Sequence, residues 1–163
     1  SLDNLGSDSV HVDCDYSAAY VEIFSDDKDL KGVGLTFTIG KGNDLCVACI
    51  KHFKPLFINK NIAEIENNIN SLWRSCTNHS QLRWIGPEKG VVQLSVAALF
   101  NGFWDLISKY HRKPLWKYIV DLNTEDLLNK LSFTYIDDVI TKEEAFNIIE
   151  GKKITFKLQH NLS

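Results

Sequence analysis

Two short stretches of the sequence combine residue types that bind metal ions in proteins. In GSDSVHVDCDYSAAY, residues 6–20, an extended backbone would place the side chains of His11, Asp13 and Asp15 on one face. An imidazole flanked by carboxylates can ligate a divalent ion. The same alternation is typical of the solvated side of an edge strand, and no second cluster of ligands completes a site elsewhere in the sequence. Metal binding is therefore the weaker interpretation, and we assign no metal ligand.

The stretch CVACIKH, residues 46–52, poses a similar choice between zinc or redox chemistry and ordinary packing. Cys46 and Cys49 share a predicted helical face and His52 follows them, but no further Cys/His pair at zinc-finger spacing supplies a fourth ligand. Three of the four cysteines, including Cys76, fall at apolar positions of predicted helices. We therefore favour buried free thiols, with a small zinc protein as the weaker alternative.

Composition limits the kind of protein and its partners. The chain has 163 residues, of which 44% are hydrophobic and 24% charged, as in a soluble globular domain. A formal net charge of -3 and 18 scattered Lys and Arg residues argue against nucleic acid as a partner. No apolar run reaches the roughly 18 residues of a membrane-spanning helix. We expect a soluble protein that binds neither nucleic acid nor membrane, and no targeting signal is visible.

The elements that must position any site begin with a β-hairpin. Residues 17–24 alternate in character, DDKDLKG supplies a turn, and VGLTFTI, residues 33–39, alternates large apolar residues with glycine and threonine. A two-stranded sheet is marginal in water by itself. The hairpin therefore needs a helical layer or a third strand, which we expect upstream of Ser1.

Helices follow the hairpin. A change of period predicts a helix of about 15 residues from an Asn43 cap to near Ile58. An apolar stripe predicts a second helix over residues 62–76. Residues 88–110 predict a long central helix with one stripe of large residues and one of small residues. The small stripe, which would let a neighbouring helix approach closely, consists of Ser95, Ala98 and Gly102.

Three shorter helices are predicted beyond residue 113. They start at Pro114, at Thr124 as a cap, and at Thr141, which has Glu144 at capping-box spacing. The final EGKKITFKLQHNLS loses the helical period, so we expect a frayed tail over residues 152–163. The sum is an α+β fold in which a small antiparallel sheet packs on a bundle of three to five helices.

These elements carry no recognisable active site of their own. GKGND lacks the spacing and the Lys-Ser/Thr ending of a phosphate-binding loop. No serine or cysteine has the context of a nucleophile. His52, His79 and His111 occur singly on helix faces or ends, where packed or solvated histidines outnumber catalytic ones.

Several motifs are similar to those of a known family. They are DYSAAYV, GLTFTIGKGND, QLRWIGPEKGVVQLSVAAL, NGFWDL, KPLWKYIVD and FTYIDDVIT, in order and nearly without gaps. Over residues 1–151 the chain resembles the N-terminal capping domain of enolase-superfamily acid-sugar dehydratases, in particular those of the L-fuconate dehydratase type. The most specific motif is RWIGPEKG, residues 83–90, which we interpret as a helix start and domain-packing element.

The resemblance implies a three-stranded sheet with helices in residues 1–151, the first strand lying upstream of Ser1, and a divergent tail in residues 152–163. In that family the catalytic half is a (β/α) barrel of about 250 residues, for which this chain has no room. The Lys bases, the carboxylate ligands of Mg²⁺ and the His-Asp dyad of the family lie on barrel strands. We therefore expect no catalytic or metal-binding residue in this chain, and no cofactor for the chain alone.

The activity that the resemblance implies is Mg²⁺-dependent dehydration of an acid sugar such as L-fuconate, which gives 2-keto-3-deoxy-L-fuconate and water. The cap closes loops over the barrel, excludes water and contacts the distal hydroxyls of the substrate. These substrate-binding contacts map here onto Gly6, Ser7, Asp8 and Tyr16. Without a barrel, the chain is expected to be inactive by itself.

An alternative function follows from the same resemblance. Loss of the barrel would expose apolar surface, so the chain could be a truncated, non-catalytic module that binds a protein partner, or itself, through its barrel-facing surface. The resemblance implies localisation in mitochondria or the cytoplasm.

Overall fold

The computed structural model describes residues 6–13, 15–86 and 89–160, with side chains described as far as Lys153. Within these residues a two-stranded antiparallel sheet packs on seven helices, which confirms the predicted α+β class. The strands are β1, Ser17–Phe24, and β2, Lys31–Thr38. The helices are α1 Asn43–Phe53, α2 Ile62–Asn67, α3 Ile69–Thr77, α4 Val91–Tyr110, α5 Leu115–Asp121, α6 Thr124–Asn129 and α7 Lys142–His160.

The predicted hairpin is confirmed, but the orientation of its two faces is unusual. The strands pair antiparallel, with Tyr20 opposite Leu35. Along β2, the glycines and threonines at 32, 34, 36 and 38 are buried against the helices. A sheet with one solvated face ordinarily buries its large apolar side chains. Here Val33, Leu35 and Phe37 form the outer face and are exposed.

Helix α4 packs directly beneath β2 and forms the centre of the core. A Cβ atom on Gly34 would lie 2.0 Å from the carbonyl oxygen of Ala98 and 2.5 Å from the amide nitrogen of Gly102. The small stripe of this helix therefore accommodates a strand, where we expected a neighbouring helix. Ser95 contacts α1, since its hydroxyl donates to the carbonyl of Cys46 at 3.1 Å. The large stripe is buried as predicted and consists of Val92, Val96, Leu99, Phe103 and Leu106.

The two edges of the sheet differ. At the β2 edge, the amide of Val33 donates to Oδ2 of Asp105 at 2.8 Å, and Nζ of Lys109 donates to the carbonyl of Lys31 at 3.0 Å. Asp105 and Lys109 also pair with each other at 2.6 Å. The opposite edge, along β1, has no such partners among the described residues, and a groove of about 1050 Å³ runs beside it. The β1 edge is thus the side on which the sheet has room for a further strand.

Asparagine residues lie at several helix boundaries. The predicted 62–76 helix is divided at Asn68 into α2 and α3. The side chain of Asn61 caps α2 by accepting from the amide of Ala63, and Asn123, rather than Thr124, caps α6. Asn43 is not a cap, since its side-chain oxygen accepts a hydrogen bond from Thr38 at 2.5 Å. Side-chain hydrogen bonds to nearby backbone are the reason that asparagine favours such ends.

The C-terminal helix α7 begins with the predicted capping box. The Thr141 amide donates to the Glu144 carboxylate at 2.8 Å, and the Glu144 amide donates to the Thr141 hydroxyl at 3.2 Å. The expected loss of helical structure after Glu150 is wrong, because the backbone of α7 continues through Gly151 to His160. The division into residues 1–151 and 152–163 remains a prediction.

Helix α4 is long and apolar enough to cross a membrane by length and composition, the one such helix in the described part of the chain. Its most apolar window is 61% buried inside the fold. The central helix of a folded domain has the same properties, which accounts for this helix.

Candidate functional site

Two of the predicted substrate-binding residues, Gly6 and Tyr16, meet at one end of the sheet. Gly6 has a φ of 80°, and a Cβ atom there would lie 2.0 Å from the Tyr16 hydroxyl oxygen. The positive φ favours glycine at this position, and a Cβ atom here would displace the phenol that lies against it. The structure brings the start of the predicted loop and the tyrosine into direct contact.

Asp8 uses its carboxylate to shape the loop. Its Oδ1 accepts from the backbone amides of Val10 and His11, each at 2.7 Å. The Asp8 amide in turn donates to the carbonyl of His11 at 3.1 Å, which closes the turn. These backbone hydrogen bonds hold the pKa of Asp8 below its usual value. Ser7, half-buried, lies between Gly6 and this turn, and its role in binding remains a prediction.

The strand expected around His11, Asp13 and Asp15 does not form. Residues 12 and 13 lie in a turn and β1 starts only at Ser17, so the alternation that would align the three side chains is absent. The imidazole of His11 lies against Asp8 instead, with 3.4 Å between Nδ1 and Oδ2. A turn-forming aspartate is favoured by its short side chain, so Asp8 itself was the local signal for this geometry.

Tyr16 is held in place by the first rungs of the hairpin. Its ring packs on Phe37, with 5.3 Å between the ring centroids. The next residue, Ser17, places its hydroxyl 2.6 Å from that of Thr38 and accepts from the amide of Gly40 at 3.2 Å. The Tyr16 ring therefore packs on the ordered end of the sheet, while its hydroxyl lies against Gly6 of the loop.

A second polar cluster links three helical segments far apart in sequence. The Glu66 carboxylate accepts from the Tyr118 hydroxyl and lies 2.9 Å from Nε2 of His111, whose ring stacks on Tyr118. Burial alone would raise the pKa of Glu66, but the hydrogen bonds from Tyr118 and His111, together with the positive charges of His111 and Lys130, lower it. Burial and the neighbouring carboxylate raise the pKa of Tyr118. Sequence reasoning missed this cluster because no local pattern joins its members.

The environments of the cysteines indicate a role in packing rather than in catalysis or metal binding. Cys46 and Cys76 are buried and Cys49 is half-buried, as predicted. Burial raises the pKa of Cys49 and raises that of Cys76 to about 12, so neither thiol is activated as a thiolate. In the part of the chain that the structure describes, no three His, Cys, Asp or Glu side chains form a group that could hold a metal ion.

The arrangement of a small antiparallel sheet on a layer of helices matches a solved structure. Human mitochondrial enolase superfamily member 1, in its crystal structure, matches with a TM-score of 0.88 and 42% identity, over 99% of this chain and 37% of that one. The fold is an enolase N-terminal-like α+β domain. No family model matches the chain.

Curated relatives agree with the structural match. The Xenopus laevis mitochondrial enolase superfamily member 1 is 49% identical over 154 residues, 94% of this chain and 35% of the relative. The L-galactonate dehydratase of Hypocrea jecorina is 44% identical over 153 residues, again 94% of this chain and 34% of the relative. The chain is thus a homologue of mitochondrial enolase superfamily member 1 over the matched segment, and it spans about a third of the length of the curated relatives it matches.

Proposed function

We propose that this chain is the substrate-binding cap domain of an acid-sugar dehydratase of the L-fuconate dehydratase type. The observation that carries the proposal is the contact between Gly6 and Tyr16, two residues of the site that the family resemblance predicts. The name of the relative from Hypocrea jecorina, L-galactonate dehydratase, supports an acid sugar as the substrate. The chain alone is inactive, because the reacting groups of such an enzyme lie elsewhere.

The role of each residue follows from its hydrogen bonds. The Tyr16 hydroxyl can donate to or accept from a sugar hydroxyl, and the absence of a side chain at Gly6 lets the phenol lie against the loop. Asp8 has one carboxylate oxygen occupied by two backbone amides, so it orders the loop that presents Gly6 and Ser7. Asp8 is thus a positioning residue in this proposal, and Tyr16 is the residue that contacts the distal hydroxyls.

Magnesium belongs to the proposed enzyme but not to this part of it. The described residues offer no group of three ligating side chains, and the chemistry of a hard divalent cation needs several oxygen ligands. In a complete enzyme, Mg²⁺ would supply electrostatic stabilisation of the negative charge that develops on the substrate. The contribution of this chain is to bind and orient the sugar and to exclude water. The names of the animal relatives support a mitochondrial location, which we include in the proposal.

A fusion protein tests the proposal. The segment of the Hypocrea jecorina relative that matches this chain is replaced by the chain, and keto-acid formation from L-fuconate and L-galactonate is measured. We expect turnover of an acid sugar by the fusion and none by the 163-residue chain. A folded fusion without activity on any acid sugar, or activity of the chain alone, would contradict the proposal.

Variants of the two tyrosines test the site itself. In the fusion, Tyr16→Phe should raise KM about fivefold, because one hydrogen bond to the substrate is worth about 1 kcal/mol. Tyr135→Phe is the matched control, since Tyr135 is another exposed tyrosine and lies outside the proposed site. Equal effects of both changes would remove Tyr16 from the site.

Variants of Asp8 separate positioning from direct contact. Asp8→Asn keeps an oxygen that can accept from the amides of Val10 and His11, whereas Asp8→Ala removes it. We expect Asp8→Asn to retain most of the activity and Asp8→Ala to lose it. Loss of activity in both variants would mean that the negative charge of Asp8 itself contacts the substrate.

A further inference from the structure

We propose that His11 is a further substrate-binding residue of the loop, which contacts a hydroxyl group of the acid sugar through Nε2 while the Asp8 carboxylate holds its ring. The inference rests on the proposed function and adds to it a residue outside the set that the family resemblance implies. The role is also distinct from the metal binding that the alternation of His11, Asp13 and Asp15 suggested.

The backbone of His11 is fixed by the Asp8 turn. The His11 amide donates to Oδ1 of Asp8 at 2.7 Å, and the His11 carbonyl accepts from the Asp8 amide at 3.1 Å. Because both backbone polar groups are held, only the χ1 and χ2 torsions of the side chain remain to be fixed. The contact between Nδ1 and Oδ2 of Asp8, at 3.4 Å, then orients the ring, although an exposed pair of this kind adds little to stability.

The same contact determines which ring nitrogen carries the proton in the neutral imidazole. Backbone hydrogen bonds from His11 and Val10 hold the pKa of Asp8 below its usual value, so this carboxylate is ionised at neutral pH and is an acceptor only. Nδ1 of His11 must then be the donor, which leaves Nε2 as an acceptor. Since the two nitrogens diverge across the ring, Nε2 points away from Asp8. An outward-pointing acceptor matches the O–H donor of a sugar hydroxyl.

The turn that carries His11 projects from the domain. The His11 side chain is 50% exposed, and Val10 and Val12 on either side are 78% and 63% exposed. Both carboxylate oxygens of Asp8, in contrast, already accept within the turn or face the imidazole. Of these two polar side chains, His11 is therefore the one with a polar atom directed away from the turn, and it lies on the same loop as Gly6.

The tautomer of His11 in the 163-residue chain is the first test. Long-range proton–nitrogen NMR correlation in alkaline solution, where imidazoles are neutral, shows which ring nitrogen is protonated. We expect Nδ1–H in the unmodified chain. In Asp8→Asn the remaining oxygen accepts from the two backbone amides and an NH₂ group faces the ring, so we expect Nε2–H. Nε2–H in the unmodified chain would overturn the inference without bearing on the proposed function.

Kinetics of the fusion with the Hypocrea jecorina relative separate contact with the substrate from support of Asp8. His11→Asn places an amide near the position of Nδ1 and has no group at the position of Nε2, whereas His11→Gln places an amide near Nε2. We expect His11→Ala and His11→Asn to raise KM about fivefold with kcat nearly unchanged, as for loss of one hydrogen bond to the substrate. His11→Gln should recover part of this loss.

Val12→Ala is the matched control, since Val12 is an exposed neighbour in the same turn, and its KM should not change. An active fusion in which His11→Asn has the KM of the unmodified fusion would overturn the inference and leave the proposed function intact, because His11 would then act only through Asp8. An equal rise of KM in Val12→Ala would also overturn it, as general disturbance of the loop. A folded fusion without activity on any acid sugar would contradict the proposed function, and with it the substrate contact, even where the tautomer is as expected.

Discussion

Gly34 of β2 lies so close to Ala98 of α4 that a single added methyl carbon would come within 2.0 Å of the Ala98 carbonyl oxygen. The strand and the central helix are thus in backbone contact, with no side chain between them. Such an approach is possible only where both elements carry small residues. It also explains why the large residues of β2 lie on the other face.

The first prediction concerns this contact. Gly34→Ala should destabilise the chain by about 1–3 kcal/mol or more, because the strand must move away from a backbone carbonyl that cannot yield. Gly151→Ala is the matched control, since a Cβ atom there meets nothing within 4 Å and glycine is unfavourable inside a helix. It should stabilise α7 by about 0.5–1 kcal/mol. Urea denaturation of both variants measures the difference, and equal effects would contradict the close contact.

The second prediction concerns the β2 edge. Asp105→Ala leaves the Val33 amide without its acceptor and should cost about 1 kcal/mol, at the low end for a charged hydrogen bond because the site is partly exposed. Asp105→Asn retains an acceptor oxygen and should cost less. Amide hydrogen exchange at Val33 should accelerate in the alanine variant and stay slow in the asparagine variant. Fast exchange at Val33 in the unmodified chain would disprove the contact.

The third prediction is a pH dependence from Glu66. Its pKa in the folded chain is lowered from the ordinary 4.5, so its contribution to stability is fully present above about pH 4.5 and is lost as the pH falls through the folded value. Glu66→Gln should therefore be less stable than the unmodified chain at pH 7, and the difference should shrink as the pH falls through the folded-state pKa of Glu66. Urea denaturation between pH 3 and pH 7 measures both curves.

Tyr118→Phe is the control for this cluster. It keeps the Glu66 carboxylate and removes the hydroxyl that donates to it, so the pKa of Glu66 should rise toward its ordinary value. NMR titration of the Glu66 carboxyl carbon measures the shift directly. A Glu66 pKa that does not respond to loss of the hydroxyl would contradict the hydrogen bond.

The fourth prediction concerns the start of α7. Thr141→Ala removes the hydroxyl of the capping box and should destabilise the chain by about 1 kcal/mol. Glu143→Gln changes a first-turn residue outside the capping box and should cost only a few tenths of that. Amide exchange along residues 142–150 should accelerate in the first variant alone.

The sequence predicted the hairpin and the central helix because each depends on a local period. It could not predict which face of the hairpin is buried, because a period of two residues assigns the side chains to two faces but does not show which face packs on the helices. The glycine and threonine face is buried because it packs on Ala98 and Gly102, which lie more than sixty residues away in the chain. The division of the predicted helix at Asn68 could not be predicted from the sequence either, because the apolar stripe continues across this residue.

The candidate site was predictable only in part. The resemblance indicated Gly6, Ser7, Asp8 and Tyr16, and the structure places Gly6 against Tyr16. It did not indicate that the Asp8 carboxylate is used within its own turn, because that depends on two backbone amides and the path of the loop. The His11, Asp13 and Asp15 alignment failed for the same reason, since a turn replaced the assumed strand.

The pair formed by Asp105 and Lys109 has a consequence for how copies of this domain can assemble. Because it occupies the amide of Val33 and the carbonyl of Lys31, it opposes hydrogen-bonded addition of a strand at the start of the β2 edge. The two edges of the sheet are therefore unequal, and an added strand is favoured along β1. Removal of this one ion pair on a neighbouring helix would make the β2 edge more prone to pairing between copies of the chain.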